Sequence, residues 1–130
     1  MNFQDTKKYA PILLRYCIAL VYLWFGISQV LNPKDFIGYL PDFLFNSGYA
    51  NTVVLANGIF EIIAAILLIT GLFTRIIALL LGLHLLAITV EVGYGEIGVR
   101  DFGLTIATIT VALWGEDDWC LSKKWKKTNN

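Results

Sequence analysis

Residues 52–92 read TVVLANGIFEIIAAILLITGLFTRIIALLLGLHLLAITVEV, and this stretch decides the fold. An apolar run from Thr52 to Phe73 is followed by a second from Ile76 to Val92, with only Thr74-Arg75 between them. Each run is near the roughly 20 residues that cross the hydrocarbon core of a bilayer. The pattern predicts two antiparallel membrane spans joined by a tight turn. Two ionisable residues interrupt their interiors, Glu61 and His84, and a third, Glu91, lies at the far end of the second run. At about 1.5 Å rise per residue, the depths of Glu61 and His84 measured from the turn differ by only about 5 Å. Both are therefore expected near the bilayer midplane, on adjacent helices. A charge there costs at least about 2.5–3.5 kcal/mol on insertion scales. Glu61 thus needs a partner, a proton or water, and His84 can supply a hydrogen bond or share the proton.

Two further apolar blocks flank this pair. One runs from about Pro11 to Leu31, and the other from Asp101 through Trp114 toward Trp119. Pro11 suits a first helical turn, where its missing N–H costs nothing. Asn32-Pro33 ends the first block, because proline disfavours helical geometry in the residue before it. A cleaved signal peptide is not expected: the run is too long, Arg15 interrupts it and no small-x-small site follows. The reading is an all-α, four-helix transmembrane bundle, with spans at about 11–31, 52–73, 76–92 and 101–116. Gly93 to Gly98 reads as a loop. Between the first two spans, Phe36, Leu40, Phe43 and Leu44 recur at helical spacing and suggest a short amphipathic helix in the interface; the alternative is an ordered loop. Of 130 residues, 57% are hydrophobic and 15% charged, against about 25% charge in an ordinary soluble domain. One domain over 1–130 is expected, with no room for a second.

Charge sets orientation. Lys7, Lys8, Arg15, Arg75, Lys123, Lys124, Lys126 and Lys127 fall on one side of the predicted membrane; Lys34 and Arg100 fall on the other. The basic-rich side is expected to be cytoplasmic, with both termini there. The net charge is zero, so nothing points to nucleic acid. The lysine-rich tail from Lys123 to Lys127 is expected to meet anionic headgroups, so the bilayer itself is the first partner. Cys17 and Cys120 match no metal or redox spacing, and Cys17 reads as a small core residue. The lone histidine argues against a haem or metal site.

Each span carries a polar stripe at i, i+3, i+4 and i+7. The first aligns Arg15, Ala19, Tyr22, Gly26 and Gln29; the second Asn57, Gly58, Glu61, Ala64 and Ala65; the third His84, Ala87 and Glu91; the fourth Asp101, Thr105, Thr108 and Ala112. Small residues let membrane helices approach closely, so the stripes are expected to face one another. Ile59, Ile62, Ile63, Ile66 and Leu67 would then face lipid. Glu61 and His84 are the candidate catalytic pair. Arg15, Tyr22, Asn57, Glu91, Arg100 and Asp101 are candidate ligand-binding residues. Arg15 lies about 12 Å in helical rise from Glu61 and can instead snorkel to headgroups. Glu91, Arg100 and Asp101 converge at the far end, as an ion-pair cluster or as an entrance for a polar ligand.

Several of these segments together resemble the DoxX/DoxD-like family of small prokaryotic membrane proteins. They are Arg15 with Phe25-Gly26-Ile27-Ser28-Gln29 and Asn32-Pro33; Gly58-Ile59-Phe60-Glu61; and Gly71-Leu72-Phe73-Thr74-Arg75. Arg100-Asp101-Phe102-Gly103-Leu104 and Trp119-Cys120-Leu121 add to them. The resemblance covers roughly Leu14 to Leu121, and the glutamate helix closed by Gly-Leu-x-Thr-Arg is its most specific part. Gln29 stands where many members have lysine, Cys120 where serine is usual, and the aspartate that often follows Leu121 is absent. The resemblance implies a four-helix bundle in a prokaryotic plasma membrane. Some members look like membrane subunits of thiosulfate:quinone oxidoreductase, and others associate with redox or thiol-stress proteins. Glu61 is the residue it singles out, with Arg15, Arg75 and Arg100 behind it.

The expected function is a redox-associated accessory subunit with a quinone site, Glu61 and His84 serving as general acid and base and Tyr16 and Tyr22 nearby. The sequence carries no autonomous catalytic motif and no flavin, haem or iron–sulfur motif, so electrons would come from a redox partner protein or from a substrate. One alternative is a proton-coupled transporter of a small solute or lipid, which at four helices would need a homo-oligomer. The other is a membrane scaffold without chemistry.

Overall fold

In the computed structural model, which describes residues 3–129, four helices are long and apolar enough to cross a membrane. They are α1 (Phe3–Leu31), α3 (Ala50–Thr70), α4 (Thr74–Val92) and α5 (Glu96–Trp114). Two short helices complete the set, α2 (Asp42–Phe45) and α6 (Leu121–Thr128), and a 3-10 turn of helix covers Pro33–Tyr39. No strand occurs among the described residues. The 21 residues of α3 reach about 31 Å at 1.5 Å each, matching a hydrocarbon core of about 30 Å.

Helix ends differ from the sequence reading in physically simple ways. Pro11 lies inside α1, not at its start. The two turns before it, Phe3 to Ala10, are exposed, so the helix extends beyond the apolar run and loses only the hydrogen bond that proline cannot donate. α5 begins at Glu96, so the glycine-rich loop shrinks to Gly93–Gly95; an acidic residue in a first turn suits the helix dipole. α5 also stops at Trp114, short of Trp119, because Gly115 turns the chain at φ +84°. The α3–α4 turn is Gly71–Phe73, with Thr74 and Arg75 already helical. Gly71 at φ +73° closes α3: Leu72 N–H donates to Leu67 O at 3.0 Å and Gly71 N–H to Leu68 O at 3.2 Å. That Schellman pairing satisfies carbonyls the helix leaves open. Between α1 and α3, where the sequence suggests a short amphipathic helix or an ordered loop, the chain forms two short helical pieces, the 3-10 segment and α2, split by Leu40-Pro41.

The bundle is built from two tightly packed pairs, α1 with α3 and α4 with α5, which meet each other more sparsely. Glycines set the intimacy of each pair. A Cβ on Gly26 would lie 2.8 Å from Gly58 O, and one on Gly58 would lie 2.8 Å from Gly26 O. In the second pair, a Cβ on Gly82 would lie 2.9 Å from Ile109 Cγ1. The core between the pairs is mostly small: Ala19, Ala64, Ala65, Ala78 and Ala112, filled out by Ile18, Leu68, Leu81 and Val111. Ile59, Ile63 and Ile66 turn outward, as a lipid-facing surface requires. Cys17 is exposed on α1 and free, so it is a lipid-side residue and not a core one; it falls outside the stripe that Arg15, Ala19 and Tyr22 define.

Candidate functional site

Antiparallel α1 and α3 bring Gln29 beside Asn57, one turn before Glu61 on α3. Gln29 Nε2 donates to Glu61 Oε2 at 3.0 Å. Asn57 Nδ2 donates to Gln29 Oε1 at 2.7 Å and to Glu61 Oε1 at 3.2 Å. The buried carboxyl is thus held by two neutral amides. From α4, His84 Nε2 stands 3.7 Å from Glu61 Oε1. That atom is buried without a hydrogen-bond partner among the described residues, although the His84 side chain as a whole is 30% exposed. Closing the gap by roughly 0.5 Å would make a hydrogen bond. The Phe60 ring meets the imidazole edge-on at 5.4 Å between centroids.

These groups line one end of a cavity of about 710 Å³. Its walls come from all four long helices, and Phe36, Tyr39, Leu40 and Leu44 of the connecting segment also line it. Tyr22 lines it too, its hydroxyl 3.1 Å from Thr108 Oγ1 and 3.3 Å from Leu81 O. Thr108 can donate its own proton to Leu104 O at 2.7 Å, and Tyr22 has one proton for its two neighbours, Leu81 O and Thr108 Oγ1. Arg100 binds the adjacent Asp101 through Nε and Nη2, both at 2.9 Å to Oδ1, and lies 5.6 Å from the Phe25 ring centroid. Glu91 lines the same cavity but is exposed; among the described residues it makes no ion pair with Arg100 within 4.0 Å. The expected three-residue cluster is therefore an Arg100–Asp101 pair with Glu91 apart. Ala87 lines the cavity with His84, as expected, although it is exposed; the residues α4 buries are Thr74, Ala78, Leu81 and Gly82.

Arg15 belongs elsewhere. Its side chain is 1% exposed, so it does not snorkel. Nε and Nη2 grip both oxygens of Asp117 at 2.6 and 3.1 Å. Nη1 donates to Leu68 O and, at 2.9 Å, to Ile69 O. The guanidinium therefore caps the carbonyl end of α3, where a cation suits the helix dipole, and ties it to the loop after α5. Trp119 N–H adds a bond to Asp117 Oδ1 at 2.9 Å. Burial alone would raise the Asp117 carboxyl, but the Arg15 hydrogen bonds, the Trp119 N–H and the Arg15 charge outweigh it and hold the group below the usual carboxylate range. Tyr16 joins this cluster, with Arg15 4.7 Å above its ring and Trp119 edge-on at 6.3 Å, so it is not a neighbour of the cavity. Arg75 lies against Gly115, where a Cβ would collide with its guanidinium.

Of the residues singled out from sequence, Tyr22, Asn57, Glu61, His84, Glu91, Arg100 and Asp101 share the cavity, and Arg15 does not. Gln29 lines it as well; its place on the Tyr22–Gly26 stripe was the available signal. Asp117 was missed, being 102 residues from its partner with no local pattern to mark it. Among the described residues, no group of three or more histidine, cysteine or carboxylate side chains is arranged to hold a metal.

Four apolar helices around an amphipathic cavity define a multi-pass membrane protein whose surroundings are a lipid bilayer. The chain belongs to the DoxX family, whose model matches residues 10–93, from the second turn of α1 through the end of α4. No curated protein and no solved structure matches it.

Proposed function

We propose that this DoxX protein is a redox-associated subunit of the prokaryotic plasma membrane, and that the cavity around Glu61 binds an isoprenoid quinone. The observation that carries the reading is the convergence of Gln29, Asn57, Glu61 and His84 in a cavity of about 710 Å³ whose walls are mostly apolar and aromatic. Ligand pockets of about 300–1,000 Å³ with few convergent polar groups suit small amphipathic molecules. A bound quinone would exchange two electrons and two protons with a partner protein and the site.

The chain's own groups fit such a head. Asn57 spends its amide protons on Gln29 and Glu61, whereas Gln29 spends one on Glu61 and keeps the other. His84 Nε2 is the second uncommitted group. Two positions that can hydrogen-bond a carbonyl or hydroxyl oxygen therefore flank one carboxyl. Glu61 and His84 hold or release protons at Oε1 and Nε2, 3.7 Å apart, as general acid and base. Proton-coupled transport is the second reading, and the exposure of Glu91 beside the cavity favours it. Against transport, Arg15–Asp117 and the alanine-rich core fill the other half of the bundle.

The test is co-purification. The protein is isolated in mild detergent and extracted with organic solvent, and quinone is quantified by mass spectrometry for wild type and Glu61→Gln at matched helicity. Near-stoichiometric quinone in wild type, lost in the variant, supports the site. Its absence from wild type removes the redox reading and leaves transport to be tested.

A further inference from the structure

The charge lining the cavity is lopsided. Four carboxylates face it, Asp35, Glu61, Glu91 and Asp101, against Arg100 and the single imidazole of His84. Arg100 is already committed to Asp101 at 2.9 Å. Among the described residues no lysine or arginine lies within 4.0 Å of Glu61, whose one partner in an ion-pair geometry is the His84 imidazole at 3.7 Å. A carboxylate held by two amides and lacking a fixed cation leaves room for a positive charge from outside. In low-dielectric surroundings that attraction is far stronger than in water.

The remaining wall is aromatic. Tyr22, Trp24, Phe25, Phe36 and Tyr39 line the same space, and ring faces attract cations, quaternary ones included. A small metal ion is a poor match, because calcium or magnesium needs about six oxygen ligands at close range and rings supply none. Bulk with one delocalised charge is the better match for about 710 Å³. We propose that this cavity binds lipophilic organic cations, with Glu61 as the charge partner and the aromatic residues as the wall, and that it excludes anions of the same shape. The inference goes beyond quinone binding and does not depend on it.

The test uses two ions of nearly equal size and opposite charge, tetraphenylphosphonium and tetraphenylborate. Equilibrium binding of each is measured on purified protein in a non-ionic detergent, with empty micelles subtracted. The expected result is saturable binding of the phosphonium near one per chain, weakened about tenfold or more in Glu61→Gln, with no saturable binding of the borate. Binding of both ions alike, of neither, or of the phosphonium equally to wild type and Glu61→Gln overturns the proposal. Should Glu61→Gln lose its helicity, Asp35→Asn/Glu91→Gln takes its place; these side chains are exposed and their loss should spare the fold. Phosphonium affinity reduced about threefold or more in that variant supports the site, and unchanged affinity overturns it. Quinone content is read separately, so either reading can fail without the other.

Discussion

Arg15 carries a full charge inside the bundle at 0% exposure, and its surroundings explain why that is tolerated. Each guanidinium nitrogen meets an acceptor, Nε and Nη2 on Asp117 and Nη1 on two carbonyls at the end of α3. Removing one partner of a buried pair strands the other, at a cost of about 3–5 kcal/mol. Arg15→Ala should therefore destabilise the protein by about that amount in reversible unfolding from mixed micelles. Arg15→Lys should recover only part, because an ammonium cannot grip both oxygens at once. The pair should also show in the pH dependence. Asp117 titrates lower folded than unfolded, so its stabilisation is fully present above the unfolded carboxyl pKa of about 3.9 and is lost as pH falls through the lower folded value. Thermal unfolding of wild type and Asp117→Asn should thus differ most at neutral pH, and the two curves should converge under acid. A constant gap down to about pH 2 would refute this assignment. At this scale the sequence revealed both members of one pair and a single member of the other. Glu61 and His84 were legible together because a tight turn makes depth countable from either side. Arg15 and Asp117 were not, because no periodicity links residues 102 positions apart, and the snorkelling alternative fits an arginine near a boundary equally well.

Helices here are held by close approach and not by large side chains. Gly26 and Gly58 each face the other's carbonyl oxygen, so Gly58→Ala must push α1 and α3 apart. Overpacking of this kind costs about 1–3 kcal/mol, and because Gln29 and Asn57 sit on the same two faces it should also loosen the amides around Glu61. Gly103→Ala is the control: a Cβ there meets nothing within 4 Å, and stability should be unchanged or higher. Unfolding free energies of the two variants, measured side by side, check the contrast. The stripes that place these glycines were readable from spacing, since Arg15, Ala19, Tyr22, Gly26 and Gln29 are all buried, as are Asp101, Thr105, Thr108 and Ala112. Span three was the exception. Ala87 and Glu91 share a face with His84 and line the cavity with it, yet both are exposed, and the residues that α4 buries, Thr74, Ala78, Leu81 and Gly82, all lie in its first half. Spacing identifies a face; it does not say how far along the helix that face stays covered. Ends were also less legible than middles, because Gly115 and Glu96 act through backbone conformation and dipole, not through hydropathy.

At the scale of the molecule, two helix pairs meet over an alanine-rich core at the end bearing both termini and separate around the cavity at the other. The antiparallel order puts both termini on one side, and the excess of Lys and Arg there supports a cytoplasmic location. In a background lacking both native cysteines, an impermeant maleimide should label Ser47→Cys on intact cells and Asn129→Cys only after permeabilisation; the opposite pattern would invert the topology. With that orientation the cavity would lie in the outer half of the bilayer and the Arg15–Asp117 clamp in the inner half. Bundle and polar interior were legible from sequence. The cavity was not, since it arises from the uneven packing of pairs that hydropathy treats alike. The central claim, a quinone held against Glu61, is tested most directly by photolabelling with an azidoquinone and mapping the modified residues by mass spectrometry. The account predicts labels on cavity residues such as Asn57, His84 and Phe36, suppressed by excess unlabelled quinone and reduced in Glu61→Gln. Labels confined to outward residues such as Ile59 and Ile63, insensitive to competitor, would contradict it and leave the quinone as bulk lipid around the bundle.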